Sequence, residues 1–175
     1  MTTEGSSNEG AFVALYSQHY RALHDYASLR CPAADIDDVL ADTFAVAWRR
    51  FAHIPAGMER AWLFGVVKNV LHSRHRASRR IDALHTRLSA FETLNPIDPG
   101  MQSVPIDTRE QLGGAFNTLS DADRDILVLA AWFDMSGPQL ALALGISTNA
   151  ATVRLHRART RFDRALRAWT QPDQT

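Results

Sequence analysis

Lysine is almost missing from this chain. Lys68 is the single one, and arginine carries nearly all the basic charge, which with the abundant alanine reflects GC-rich codon usage rather than any special chemistry. Cysteine is as scarce: Cys31 stands alone, which excludes an intramolecular disulfide and any multi-cysteine metal cage. No apolar run approaches the length of a bilayer span, and the opening residues MTTEGSSNEG lack the basic-plus-apolar pattern of a secretory signal. The expectation is a soluble cytoplasmic protein with no membrane insertion. Strand-like alternation of useful length, internal repeats and low-complexity segments are also absent. The formal net charge is +0 at pH 7, so bulk attraction to nucleic acid is excluded, and any such binding must come from charge segregated along the chain.

The segregation is there. Between Arg49 and Arg80 the basic residues Arg49, Arg50, Arg60, Lys68, Arg74, Arg76, Arg79 and Arg80 face Glu59 alone, and just before them lies the acidic cluster Asp35, Asp37, Asp38 and Asp42. With 175 residues, 46% of them hydrophobic, the chain can bury one or two small helical cores.

The most specific local signal runs from Ser136 to Phe162, SGPQLALALGISTNAATVRLHRARTRF. Ser136 can cap a short helix and Gln139, three residues on, can reach back to it, with Pro138 tolerated in the first turn. Leu140, Ala141, Leu144 and Ile146 supply a small apolar face. Gly145 can take the positive φ that ends the helix, and Ser147 offers the next cap. Ala151, Leu155, Ala158 and Phe162 then recur at spacings of a buried stripe. Asn149, Thr152, Val153, His156 and Arg157 lie opposite, where a helix entering the major groove meets base edges and phosphates. Arg154, Arg159, Arg161, Arg164 and Arg167 extend the positive charge. This is the pattern of a helix-turn-helix; the alternative is an amphipathic helix with a solvated basic face, and the capped turn argues against it.

Elsewhere helical spacing predicts a first helix from about Gly10 to Leu29 through Phe12, Leu15, Tyr16, His19, Leu23 and Tyr26. A second begins near Asp35, with Ile36, Leu40, Phe44, Ala47 and Phe51 on one side and Asp38 and Asp42 on another. Pro55 and Gly57 break it, and a third, about Glu59 to Arg80, is expected to bury Trp62, Val66, Val70 and neighbours. TLNPIDPGMQSVPID, with three prolines and no sustained period, reads as a flexible interdomain linker over residues 93–108. Beyond it Leu112, Phe116 and Leu119 open a second domain. Ser120 and Asp123 then start a helix carrying Ile126, Leu127, Ala130 and Phe133. The expected class is all-α, with helical domains at 8–92 and 109–170.

Two other readings stay open on the residues alone. An ordinary helix-turn-helix regulator would bind duplex DNA without any polymerase, although the N-terminal basic helix argues against it. A metal-dependent enzyme could use the aspartate cluster and some of the histidines. Asp38 and Asp42 share a helix face, yet no HExxH or comparable ligand spacing accompanies them, so no catalytic residue, metal or cofactor is expected.

In both halves and in the right order, the chain resembles the extracytoplasmic-function (ECF) group of bacterial sigma factors. The resemblance is carried by FVALYSQHYRALHDYA, DIDDVLADTFAVAWRRF and RAWLFGVVKNVLHSRHRASRR in the first half, and by LSDADRDILVLAAWFDMSGPQLALALGISTNAATVRLHRAR in the second. It implies a region 2 helical bundle and a region 4 helix-turn-helix. It implies that Asp38, Asp42, Phe44 and Trp48 dock on the clamp helices of the polymerase β′ subunit, with a further contact to the β flap. It implies that Lys68, Asn69, Ser73, Arg76, Arg79 and Arg80 serve the minus-10 element, Asn69 reading an unpaired base in a pocket walled by residues 52–59, with Arg74 among the phosphate contacts. Asn149, Thr152, Val153, Arg154, His156 and Arg157 would serve the minus-35 element. Core RNA polymerase, promoter DNA and a cognate anti-sigma factor are the implied partners, and the cytoplasm, with the nucleoid when active, the implied place. Ala41 departs from the family's usual glutamine, Ser73 from a frequent aspartate, and Ala150 to Val153 from the commoner recognition residues. Met135 to Pro138 differ as well. The change at Ala41 weakens a polymerase contact, that at Ser73 alters promoter reading, and Ala150 to Val153 point to an unusual upstream sequence.

Overall fold

Apolar residues at helical spacing, punctuated by Pro32 and Pro55, fold the first part of the chain into α1 (Thr3–Ser28), α2 (Ile36–Arg49) and α3 (Glu59–Leu84). The computed structural model describes residues 3–84 and 106–170, and the side chains of 8–76, 108 and 110–169. A 3-10 turn at Ala33–Asp35 leads into α2. Another at Phe51–His53 leaves it and runs through Pro55 to Gly57. Gly57 has φ 75°, which glycine adopts without steric cost, and its N–H donates to Glu59 Oε1 at 2.8 Å at the start of α3.

Helix α3 packs on both α1 and α2. Leu23, Tyr26 and Ala27 of α1, Val39, Leu40 and Ala47 of α2, and Ala61, Leu63, Phe64 and Val67 of α3 form the core between them. Tyr26 meets Phe64 edge to face at 5.2 Å, the arrangement the ring quadrupoles favour. His19 is buried here too. Desolvation, then the nearby Arg60 charge, push its pKa down against a smaller opposing effect of Glu59, so it sits in the core as neutral imidazole. Cys31 is half-buried and donates to the Ala27 carbonyl at 3.3 Å. Its thiol is pushed up to about 11, chiefly by burial, which makes it a poor nucleophile.

The second unit holds α4 (Ile106–Asn117), α5 (Asp121–Ala131), α6 (Gly137–Leu144) and α7 (Thr148–Thr170). Helix α7 packs on the other three. Its core is Ala115, Phe116, Leu119, Ile126, Leu129, Leu140, Ala143, Ala151 and Ala158. By internal contacts the chain divides into two compact units, residues 1–91 and 92–175. Every regular element among the described residues is a helix, and none is long and apolar enough to cross a membrane.

Three expectations are corrected. Helix α1 begins at Thr3 rather than near Gly10, because its first turns carry no apolar residue for a periodicity to register. The buried stripe of α3 is Ala61, Leu63, Phe64, Val67 and Leu71, while Trp62, Val66 and Val70 are half-buried on its flanks. The run WLFGVV is apolar without a break, so its phase is chosen by α1 and α2. Helix α4 starts at Ile106, inside the span expected of the linker; residues 93–105 lie outside the described residues.

Candidate nucleic-acid interfaces

In the second unit the turn chemistry matches its local expectation. Gln139 Oε1 accepts from the Ser136 N–H at 2.8 Å and from its hydroxyl at 3.0 Å, closing the start of α6. Gly145 lies at φ 66°, ψ 38°. The Ile146 N–H donates to Ala141 O and the Gly145 N–H to Leu142 O, the paired bonds of a Schellman ending. Ser147 Oγ then accepts from the Ala150 N–H at 3.2 Å. Helix α7 therefore leaves the turn at an angle fixed by side-chain and backbone bonds on both sides.

Ala151 and Ala158 of α7 are fully buried and Leu155 and Phe162 half-buried, which orients the helix on its neighbours. Asn149, Thr152, Val153, His156 and Arg157 are all exposed, with Arg154 half-buried. The Thr152 hydroxyl donates back to Thr148 O at 3.0 Å, so what it and Val153, 40% exposed, present outward is largely methyl surface. Methyl groups suit the thymine C5-methyl, while His156 and Arg157 supply donors for purine edges.

Not all of the arginines on α7 are available to DNA. Arg161 binds both carboxylate oxygens of Asp123, at 2.7 and 3.0 Å, across 38 positions of sequence, and Arg167 pairs with Asp163 one turn away. Asp123 is only 4% exposed, and its N–H is capped by Ser120 Oγ. The pair thus ties the start of α5 to the recognition helix. Arg161→Ala should destabilise this unit by about 2 kcal/mol, less than a fully buried pair would because the arginine is partly solvated. Removing Asp123 as well should return part of that loss; chemical denaturation of the two variants checks it.

In the first unit Asn69, Ser73 and Arg76 are exposed on α3 at spacings of four and three, hence on one face, with Lys68 half-buried beside them. The side chains of Arg79 and Arg80 lie outside the described ones. Arg74 is elsewhere: its Nη2 and Nε donate to Asp42 Oδ2 at 2.6 and 3.1 Å, and Nη1 lies 3.7 Å from Asp38 Oδ2. That guanidinium, expected among the phosphate contacts, is 39% exposed on its side chain and paired with α2. Phe44, expected at the polymerase, is 6% exposed and faces α1, with its ring 4.5 Å from Tyr16 and near Phe12 and Tyr20. Trp48, 50% exposed, stands over Phe12 at 4.9 Å.

Sequence reasoning missed the Arg74 and Arg161 pairings and one close approach. A Cβ on Gly114 would come within 2.6 Å of the Trp169 ring, so the end of α7 lies against α4 where glycine leaves room. Two glycines inside a helical pattern, Gly113 and Gly114, were the available signal.

A two-unit helical protein with a helix-turn-helix in its second unit is thus defined by its own geometry. Residues 15–81 match Sigma-70 region 2 and residues 109–162 match Sigma-70, region 4. The chain is 33% identical over 173 residues to the RNA polymerase sigma factor CnrH of Cupriavidus metallidurans, covering 93% of this chain and 90% of that protein. It is 30% identical over 148 residues to the ECF RNA polymerase sigma factor SigL of Mycobacterium tuberculosis, covering 83% and 82%. The solved structure of CnrH in complex with the cytosolic domain of CnrY superposes with a TM-score of 0.62 at 29% identity, covering 93% and 92% of the two chains. That of the sigma factor RpoE with the anti-sigma factor NepR from Bartonella quintana shares the fold, with a TM-score of 0.61 at 24% identity over 95% and 98%. The chain belongs to the ECF group of the sigma-70 family, and it is an alternative sigma factor directing promoter-specific transcription.

Proposed function

We propose that the first unit, residues 8–92, binds core RNA polymerase and reads and opens the minus-10 element, and that the second, 109–170, reads the minus-35 element from α7. The observation that carries this reading is that the two matched regions fall in family order on units that each display an exposed polar helix face, Asn69, Ser73 and Arg76 on one and Asn149 to Arg157 on the other. All nucleotide chemistry then belongs to the polymerase.

Asp38 and the exposed Trp48 are assigned to the polymerase clamp helices, with Phe12 against the Trp48 ring and Phe44 packed on Phe12. Acid beside an apolar ridge suits a partner with basic edges and contributes specificity and encounter rate more than affinity. Lys68, Asn69, Ser73 and Arg76, with Arg79 and Arg80, are assigned to the minus-10 strand, and the second unit to the β flap as well as to DNA. The solved structures of similar chains hold CnrY and an anti-sigma factor; a cognate anti-sigma factor is assigned here on that likeness. As a factor acting on promoters, the protein is assigned to the bacterial cytoplasm, and to the nucleoid when active.

Run-off transcription with core polymerase on genomic fragments tests the reading. A simple regulator would bind duplex and open nothing. On a promoter so found, Arg157→Ala should cost about 1–3 kcal/mol of upstream-element binding and level discrimination at one base position. Titrations on fragments singly substituted in that element check it, and unchanged discrimination removes Arg157 from the reading set.

A further inference from the structure

Among the described side chains of α3 the last buried one is Leu71, and His72, Ser73, His75 and Arg76 after it are exposed. Over residues 72–76 no buried apolar side chain holds α3 to its neighbours. Arg74 supplies a tie there. Five residues after Asn69, it projects from a different side of α3 than Asn69, Ser73 and Arg76, and it reaches across to Asp42 and Asp38. Those two carboxylates stand one turn apart on α2, so a single guanidinium fork meets both.

We infer that Asp42 is a positioning residue rather than a polymerase contact: through Arg74 it holds the DNA-facing end of α3 at a fixed angle to the polymerase-facing helix α2. Asp38, 73% exposed on its side chain and touched only by the far arm of the fork, keeps a carboxylate for the partner. Asp42, 54% exposed on its side chain, takes both short bonds on Oδ2, so the position of its carboxylate is set by Arg74. Solvated ion pairs add little to folding stability, so the tie acts on geometry. Binding constellations lose much of their effect when displaced by a fraction of an ångström.

This inference rests on the proposed division of labour between α2 and α3, and the test separates the two. In the full-length protein with core enzyme, Asp42→Ala and Arg74→Ala should each lower open-complex yield about three- to fivefold, and the double variant no further. Core-enzyme affinity should stay within about twofold for all three. The exchange Asp42→Arg with Arg74→Asp rebuilds the tie with its charges reversed and should restore at least half of the lost opening. A role of Asp42 toward the polymerase would not survive that exchange. The inference is overturned if the exchanged protein stays as defective as the single variants, or if Asp42→Ala loosens core binding about tenfold while Arg74→Ala does not. Failure of the unaltered protein to hold core enzyme would overturn the proposed function itself, and is seen before any variant is compared.

Discussion

Asn69→Ala should leave core-enzyme and duplex promoter binding within about twofold yet cut open-complex yield by about tenfold or more. The side chain is exposed, so truncation removes no packing and the fold should be indifferent to it. Opening is different in kind. A protein melts DNA only if it binds the unpaired strand better than the duplex, and an amide pairing with an extruded base supplies that difference. The expected loss follows from the value of one recognised base, about 1–3 kcal/mol. Permanganate reactivity of unpaired thymines measures it directly. Undiminished reactivity at every promoter the protein serves would take Asn69 out of the site and leave Ser73 and Arg76, which share its face, as the candidates.

The largest expected effect on stability is Phe64→Ala, at about 3–5 kcal/mol. Phe64 is fully buried, lies edge-on to Tyr26 and has the Arg60 guanidinium 5.9 Å from its ring centre. Nothing nearby can fill the space, because Leu63 and Val67 are themselves fully buried. Small domains have only about 5–15 kcal/mol to lose, so much of the first unit should unfold at moderate temperature. With it would go both surfaces that α2 and α3 carry. Upstream-element binding, assigned above to the second unit with its own core, should persist. Urea unfolding followed by circular dichroism, with duplex binding measured in parallel, checks both halves, and an unmoved midpoint would mean that α3 is not held by this face.

Much of the fold was legible beforehand where its causes are local. Ser136, Gln139, Gly145 and Ser147 act within one turn of themselves, so the α6 to α7 turn followed from residue types alone. Helix α7 was legible too, since Ala151, Leu155, Ala158 and Phe162 are well spaced among polar residues. Helix α3 was not, because a continuous apolar run has no preferred phase until neighbours supply one. Its exposed face nevertheless came out as expected at Asn69, Ser73 and Arg76, where polar residues break the run. The family resemblance located the two regions, but it could not tell which side chains are spent on the protein itself. Phe44 was expected at a partner and packs against α1; Arg74 was expected at phosphate and Arg161 to extend the positive charge, and both bind carboxylates.

By itself the sequence determined the helical class, the order of the two regions and the capped turn, since caps, φ preferences and periodicity act between residues a few positions apart. Tertiary structure alone decided which charges remain for DNA. The Arg74 to Asp42 and Arg161 to Asp123 pairs span 32 and 38 positions, and whether a guanidinium meets a phosphate or a neighbouring helix depends on separations in space that no local pattern encodes.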